Sequence, residues 1–290
     1  IESNKINFVS NLSLNGLGNL KILNLENNNL KILDHLLKNV ENIEEIDVSK
    51  NRIKLLREEF LNLQKLKIIK LSQNFIENIE FNTFSKSNSK LEILELYNNK
   101  LDRVKSFYFS NLTSLKMLNL SNNKISSIEY ESFYRLYSLE YLDLNNNCLF
   151  EINFSLFIDL QNLYYLNLNK NLLKKFDLDK IFNPEQNKLK YLFLSDNRLE
   201  KFELTYNQLP NITSLDLSRN SLLKILNIKS KRLISLNLSY NHQLETIFYS
   251  SDFIKNLEIL VVKNIFNKLF HSVNLTFFEK LKILDISENV

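Results

Sequence analysis

Apolar residues along this chain follow one phrase of eleven positions: apolar-x-x-apolar-x-apolar-x-x-Asn-x-apolar. The phrase is clear from Leu115 to Ile125, where Leu118, Leu120 and Asn123 fill its middle. Consecutive copies begin 21 to 26 residues apart. A period in the twenties predicts a solenoid, in which each unit stacks on its neighbours. The other copies begin at Leu20, Ile43, Leu66, Leu91, Leu139, Leu163, Leu189, Ile212, Leu233, Leu257 and Leu281.

The middle of each phrase predicts a β-strand, because apolar and polar side chains alternate there. In the copy at Leu115, Leu118 and Leu120 should point into the core, and Met117 and Asn119 should point out. Stacked units would then form a long parallel sheet with an apolar ladder beneath it. The residues expected on one rung of this ladder are Val48, Leu71, Leu96, Leu120, Leu144, Leu168, Leu194, Leu217 and Leu238.

The asparagine of the phrase has a structural role. It occurs where the chain leaves the strand and turns inward, and an unpaired buried amide costs about 1–3 kcal/mol. A carboxamide offers two donors and one acceptor, so one side chain can serve two adjacent loops. The copy at Leu257 has Ile265 at this position, which predicts an irregular turn. The predicted ladder is Asn28, Asn51, Asn74, Asn99, Asn123, Asn147, Asn171, Asn197, Asn220 and Asn241.

The second half of each unit carries a row of phenylalanines. They recur six or seven residues before the next phrase, and Phe-x-x-Leu-x-x-Leu has near-helical spacing. Short helices or turns are therefore expected on this side. Because the row keeps the period of the repeat, we interpret it as core rather than as a ligand cleft. Its members are Phe60, Phe84, Phe109, Phe133, Phe157 and Phe182.

These features resemble the leucine-rich repeat family, and the segment 111–123 carries the likeness clearly. The form of about 24 residues with a Phe row is similar to the typical subfamily, found mostly in animal extracellular proteins such as Toll receptors, chaoptin and connectin. The resemblance covers the whole chain. It implies an α/β repeat fold: a solenoid shaped as an arc or horseshoe, with a parallel sheet on the concave side and short helices or turns on the convex side.

The unbroken phrase predicts a single domain over residues 1–290, with about 11 complete repeats from Leu20 and a partial repeat at each end. The chain begins and ends inside a phrase, at Asn4 and Asn289. A solenoid needs polar caps over its terminal apolar faces. We therefore interpret the chain as a fragment that lacks its caps. Cys148 is the only cysteine, so an intramolecular disulfide is excluded, and we expect an exposed thiol.

The sequence contains no pattern that predicts catalysis, a cofactor or a metal ion. His35, His242 and His271 lie at unrelated positions of different repeats, and two glycines cannot build a phosphate loop. The net charge of +4 is spread without a block of like charge, so we expect no nucleic-acid partner. We also expect no direct membrane insertion, because no stretch approaches the roughly 18 apolar residues of a transmembrane helix.

The outward strand positions contain the candidate ligand site. Three tyrosines occupy one position in successive strands, and interfaces favour Tyr for its large contact area and polar tip. The alternative is that tyrosine merely suits a strand in a tyrosine-rich chain. The candidate ligand-binding residues of the concave face are Tyr141, Tyr165, Tyr191, Phe193, Asp143, Asn167 and Asp216.

Seven Asn-x-Ser/Thr triplets are candidate glycosylation sites. Chance alone gives roughly five in a chain of this composition, so they support secretion only weakly. Two of them fall on outward strand positions, where a glycan would cover part of the concave face. The seven are Asn11, Asn111, Asn119, Asn153, Asn211, Asn237 and Asn274.

The resemblance implies a non-catalytic protein-recognition module. The expected parent is an extracellular receptor or adhesion protein, secreted or at the cell surface, acting in innate immunity or cell contact. This chain would be part of its ligand-binding ectodomain, with a protein ligand on the concave face; dimerisation of the parent is left open. Two alternatives stay open: a cytoplasmic scaffold that recruits signalling proteins, and the regulatory repeat region of a larger enzyme.

Overall fold

The computed structural model of the chain contains two compact units, Ile1–Asn147 and Cys148–Val290, here called unit 1 and unit 2. The structure describes residues 4–10, 12–33, 36–81, 83–84, 88–178, 187–205, 208–244, 255–265 and 278–289. Phe182, His35 and His271 lie outside the described residues. Each unit is a solenoid of parallel strands, which confirms the predicted fold class.

Unit 1 has a main sheet of six parallel strands, one for each phrase. Two pairs of two-residue strands lie between them in sequence and form small parallel sheets of their own. The main strands are β1 (Ile22–Asn24), β2 (Glu45–Asp47), β4 (Ile68–Lys70), β6 (Ile93–Glu95), β8 (Met117–Asn119) and β10 (Tyr141–Asp143). The small sheets pair β3 (Leu55–Leu56) with β5 (Asn78–Ile79) and β7 (Arg103–Val104) with β9 (Ser127–Ile128).

Unit 2 repeats this plan with six main strands and one small parallel sheet. A 3-10 helix, Phe154–Phe157, precedes the first of them. The main strands are β11 (Tyr165–Asn167), β12 (Tyr191–Phe193), β14 (Ser214–Asp216), β16 (Ser235–Asn237), β17 (Ile259–Val261) and β18 (Ile283–Asp285). The small sheet pairs β13 (Lys201–Leu204) with β15 (Lys224–Ile228).

The register of both main sheets keeps equal phrase positions side by side. Tyr165 pairs with Tyr191, and Tyr191 pairs with Ser214. In each main strand from β1 to β17 the middle residue is buried, and the first and third residues are mostly half-exposed. We call the side that carries the first and third residues the open face. The predicted rung residues, from Val48 to Leu238, are all buried to 1% exposure or less.

The side opposite the sheet consists mainly of turns and short strands. The phenylalanine row is buried there, from Phe60 through Phe157. Phe84 lies between two neighbours, with its ring centre 5.9 Å from that of Phe60 and 6.0 Å from that of Phe109. The prediction that this row is core is therefore confirmed for its five described members.

One backbone feature of the repeat was not predicted. The residue before the asparagine position of the phrase, which Ile265 fills in one copy, has a positive φ between 45° and 62° in all twelve copies. This left-handed conformation disfavours most side chains, yet no copy has glycine there. The residues are Asn27, Lys50, Gln73, Asn98, Asn122, Asn146, Lys170, Asp196, Arg219, Tyr240, Asn264 and Glu288.

Candidate binding surface

The asparagine ladder holds the strands in place, as Asn51 illustrates. Its Nδ2 donates to the carbonyls of Val48 and Ser49 in its own turn, at 3.0 Å each, and to that of Leu25 in the preceding repeat, at 2.9 Å. Its Oδ1 accepts from the backbone N–H of Leu30 at 3.0 Å. One side chain thus links two loops, and all ten ladder asparagines are buried.

The turn at Ile265 departs from this pattern. Ile265 is buried, and its backbone N–H donates to Oδ1 of Asn289 at 2.8 Å. In regular repeats the ladder Oδ1 accepts instead from the preceding repeat, from the residue two positions after its asparagine. Oδ1 of Asn51, for example, accepts from the backbone N–H of Leu30, two residues after Asn28. The missing carboxamide is therefore accompanied by a shifted hydrogen bond, and the irregularity predicted from the sequence is present.

An aromatic cluster lies on the open face of unit 2. The ring centre of Tyr165 is 6.3 Å from that of Tyr191 and 5.3 Å from that of Phe193. Tyr191 and Phe193 are stacked at 6.5 Å with an angle of 13° between their planes. All three side chains are half-buried. They come together because parallel register places equal phrase positions on neighbouring strands about 4.8 Å apart.

Tyr164 extends this cluster and is not among the residues predicted for the site. Its ring centre is 5.1 Å from that of Tyr191, and Nζ of Lys190 lies 5.1 Å from the centre of the Tyr164 ring. A hydrogen bond with the Tyr191 hydroxyl raises the pKa of Tyr164. Its position directly before strand β11, next to Tyr165, is the feature of the sequence that could have predicted this contact. We call Tyr164, Tyr165, Tyr191 and Phe193 the aromatic cluster.

Polar residues border the aromatic cluster within unit 2. Asp216 lies beside Phe193 in the register, and burial raises the pKa of its carboxyl despite hydrogen bonds from Ser218. Asn167 is half-buried, and its Oδ1 accepts from the backbone N–H of Asn169 at 3.1 Å. The predicted residues Tyr165, Tyr191, Phe193, Asn167 and Asp216 thus share the open face of one unit.

The remaining two predicted residues lie in unit 1, on β10. The Tyr141 hydroxyl donates to Oδ2 of Asp143 at 3.3 Å, and Oδ1 of Asp143 accepts from the backbone N–H of Asn145 at 2.8 Å. Asp143 is only 8% exposed. Its carboxylate therefore accepts a hydrogen bond from the turn after the strand, which leaves it less available to a ligand than its strand position predicts.

The open face of unit 1 is otherwise aliphatic and charge-paired. Ile68, Ile93 and Met117 follow one another in register. On the neighbouring positions, Nζ of Lys70 is 2.7 Å from Oε1 of Glu45. Burial raises the pKa of Glu95, the acidic neighbour of Lys70 in the register. This face offers a ligand apolar contact and charges that already have partners.

The described glycosylation candidates differ in how their side chains are used. Asn153 is exposed, and its Oδ1 caps the 3-10 helix by accepting from Ser155. Nδ2 of Asn111 donates to the carbonyl of Phe84, and Nδ2 of Asn211 donates to that of Asn187. Asn119 and Asn237 are half-buried at the third position of their strands. Asn11 and Asn274 lie outside the described residues.

Across the described ranges, no three His, Cys, Asp or Glu side chains are grouped as a metal site would require. Cys148 is exposed with a free thiol. Among the same residues, none belongs to a helix of the length and apolarity needed to cross a membrane.

Two sequence profiles of leucine-rich repeats match the chain. A leucine-rich repeat profile matches residues 89–149, and the profile of the BspA-type leucine-rich repeat region matches residues 2–99. Together they span residues 2–149. No protein with curated function matches the chain in sequence.

Solved structures share the fold along nearly the whole chain. A leucine-rich repeat protein of Leptospira interrogans is 25% identical with a TM-score of 0.74, over 99% of this chain and 76% of that one. Toll in the Drosophila Toll–Spätzle complex is 18% identical with a TM-score of 0.75, over 98% of this chain and 44% of the other. A chain in the complex of Latrophilin 3, Unc5D and FLRT2 is 20% identical with a TM-score of 0.72, over 96% of this chain and 89% of that one.

Proposed function

We propose that this chain, which is a leucine-rich repeat protein, acts by binding a protein ligand on the open face of its sheet. Leucine-rich repeat domains are generally non-catalytic interaction modules, and no catalytic family is indicated for this chain. The observation that carries the proposal is the aromatic cluster of unit 2. It presents three large rings on the open face, with the Tyr164 ring at its edge, together with the half-buried carboxylate of Asp216.

The chemistry of the cluster suits recognition of a protein. Aromatic rings supply large contact area at low entropic cost, and hot spots of interfaces are rich in Tyr. Asp216 carries a charge that burial disfavours, so a donor from a ligand would relieve an existing cost. The rings contact one another at 5.1 to 6.5 Å, so they form one continuous surface for a ligand.

The proposed setting is the ectodomain of an extracellular receptor or adhesion protein, in innate immunity or cell contact. The similar solved structures include a Toll–Spätzle complex and a complex that contains FLRT2. The identity to both is below 25%, so these likenesses support the fold, and the extracellular setting is an extrapolation from them. A cytoplasmic scaffold and the regulatory region of an enzyme stay predictions that no observation favours.

Removing two rings of the aromatic cluster tests the proposed site. The chain and its Tyr165→Ala/Tyr191→Ala variant would be used to capture cross-linked ligands from cells of the source organism, followed by affinity measurement on the ligand recovered. We expect at least a tenfold loss of affinity, because two anchor rings are removed. The matched control is Tyr130→Ala/Tyr137→Ala, which removes two exposed tyrosines outside the strands. Equal affinity of all three proteins would discard the site.

Glycan occupancy tests the extracellular setting. If the protein passes through the secretory pathway, Asn153 should carry a glycan, because its side chain is exposed on the surface. Asn211 should be occupied least, since its carboxamide is held at both ends by hydrogen bonds. Glycopeptide mass spectrometry on protein from its native source gives the answer. An unmodified Asn153 there would favour the cytoplasmic scaffold.

A further inference from the structure

A second surface of unit 2 lies along the edge where the chain enters each main strand. The residue directly before the phrase alternates strictly between a carboxamide and a cation in the six copies of this unit. We call these six residues the entry row. They are Asn162, Lys188, Asn211, Arg232, Asn256 and Lys280.

The entry row is joined by hydrogen bonds of one kind. Nζ of Lys188 donates to Oδ1 of Asn162, Nη1 of Arg232 to Oδ1 of Asn211, and Nζ of Lys280 to Oδ1 of Asn256, each at 2.6 Å. The carboxamides are held in turn, because Nδ2 of Asn211 and of Asn256 donates to a backbone carbonyl of the repeat before it, at 2.7 Å. Each cation is therefore oriented by a neutral acceptor that leaves its charge uncompensated.

More positive charge surrounds the row. Lys190 and Lys282 occupy the position just after the first apolar residue of their phrases, and Lys231 directly precedes Arg232. Lys231, Arg232 and Lys280 line a depression of about 330 Å³ together with Asn256, Thr213 and Glu258. The carboxylate of Glu258 is bound by Lys282 at 2.9 Å, on the neighbouring repeat. The depression thus combines three cations with an amide, a hydroxyl, the ion-paired carboxylate of Glu258 and the apolar side chain of Ile234.

We infer that the entry row of unit 2 binds a sulfated polysaccharide. Its cations recur on every second main strand, which spaces them about 10 Å apart along the edge. A linear polyanion can meet such a row with successive sulfate groups. The amide and hydroxyl groups between the cations can then hydrogen-bond sugar hydroxyls, which a sulfated glycan offers between its charges.

The same features disfavour a nucleic acid. Proteins that bind single strands need aromatic platforms on which bases stack. The described residues that line the depression include no aromatic ring. The side chains of the entry row bond along the edge of the sheet, and Lys190 beside the row contacts the Tyr164 ring of the aromatic cluster at 5.1 Å. The inference does not rest on the protein ligand proposed above, because the first variant of its test changes only Arg232 and Lys280.

The test measures binding of a heparin octasaccharide to the unglycosylated chain by calorimetry, at about 150 mM NaCl, where weak long-range attraction is screened. The first variant is Arg232→Gln/Lys280→Gln. The control is Lys21→Gln/Lys67→Gln in unit 1, which removes the same charge from the phrase position of Lys190, two residues after the position of Arg232 and Lys280. Both control lysines are paired with Glu44, at 3.3 and 2.8 Å.

We expect the first variant to bind at least tenfold more weakly, and the control to change by less than twofold. The slope of log Kd against log salt should become shallower in the first variant only, because two ionic contacts are lost. An Asn211→Ala/Asn256→Ala variant keeps the charge but loses the orientation of the cations, and should bind about threefold more weakly. Lys188→Gln/Lys190→Gln serves as a second charge variant if the first does not fold, as judged by circular dichroism.

Three results would overturn the inference. Equal losses in the first variant and the control would show attraction to net charge alone. Equal binding of a desulfated octasaccharide would remove the role of sulfate. Tighter binding of an eight-nucleotide single strand, or of phosphatidylserine vesicles, at the same salt concentration would assign the row to a different polyanion.

Discussion

The two units share a framework and differ in the surfaces built on it. On the entry side of unit 1, cations meet carboxylates: Lys67 binds Glu44 and Lys116 binds Glu92, each at 2.8 Å. On the entry side of unit 2, cations meet carboxamides, as Arg232 does with Asn211. The ion pairs of unit 1 lie one residue after the start of the phrase, where unit 2 has the pair of Lys282 with Glu258. One residue before the phrase, among the described residues, unit 1 has a single cation–carboxamide pair, Lys65 with Asn42, and unit 2 has three, so the two edges differ in how often this pair occurs.

The open faces differ in the same way. Unit 1 presents the aliphatic row of Ile68, Ile93 and Met117, and unit 2 presents the aromatic cluster. Both faces rest on ladders of buried aliphatic residues and asparagine, which in unit 2 are interrupted at Ile265. The difference shows that positions with a structural task are constant within this chain, whereas positions without one are free to acquire binding chemistry.

The largest effect should come from the phenylalanine row of unit 1. Phe84→Ala removes a buried ring that contacts two other rings, and large-to-small changes of this kind cost about 3–5 kcal/mol of unfolding free energy. Because repeats contact only their neighbours, hydrogen exchange should quicken around residue 84 and remain slow in unit 2. Equally quickened exchange in both units would show that they do not unfold separately.

Replacing a ladder asparagine by Ala should lower the free energy of unfolding equally in the two units. Asn99 and Asn220 each donate to carbonyls of two repeats and accept one backbone N–H. Their replacement by Ala leaves buried groups unpaired, which should cost about 3 kcal/mol in either case. Urea unfolding of the two variants makes the comparison. If the losses of unfolding free energy differ between the two variants by more than about half of the expected 3 kcal/mol, the two units do not share the framework.

The open faces should differ in ligand affinity. Ile68→Ala/Ile93→Ala in unit 1 should change the affinity for the protein ligand by less than twofold. Tyr165→Ala/Tyr191→Ala in unit 2 should lower it at least tenfold, about 1.4 kcal/mol. Surface plasmon resonance with the same ligand preparation gives both values. A larger loss from the isoleucine pair would move the site to unit 1.

The smallest effects concern pH. Burial raises the pKa of Asp216, so its charged form opposes folding, and stability is lost as pH rises through the folded pKa. Asp216→Asn should therefore raise the midpoint of urea unfolding at pH 7 and leave it unchanged near pH 3. Lys116 lowers the pKa of Glu92, so that ion pair stabilises above the unfolded pKa and the effect is lost in acid.

Glu92→Gln should accordingly lower the midpoint at pH 7 and have no effect near pH 3. The two variants form a sign test, since each is the control of the other. Shifts of the same sign at pH 7 would show that burial does not govern Asp216.

Much of the framework followed from the sequence because it depends on local pattern. Alternation around Leu118 predicted β8, and the spacing of Phe84 and Phe109 predicted a buried row. The left-handed residues were not predicted, since Lys50 and Arg219 carry no local preference for that conformation. They adopt it because the inward turn and its ladder bonds require it. A single domain over residues 1–290 stays a prediction.

The candidate site followed from the sequence in part. Tyr165, Tyr191 and Phe193 were identified because they occupy known strand positions, and the structure brings their rings together. Tyr164 was missed because its contact with Tyr191 depends on side-chain direction at the edge of the sheet. The burial of Asp143 was also not visible, because it depends on the turn after its strand.

The sequence by itself determined the repeat, the strand positions and the residues that each repeat buries, since these depend on contacts within one repeat and with the next. Only the tertiary structure decided the charge of the edges. Lys188, Arg232 and Lys280 are separated by 44 and 48 residues along the chain, so no block of charge is visible in the sequence. Stacking at about 4.8 Å per strand places them in one row, because parallel strands in register bring equal positions of successive repeats side by side.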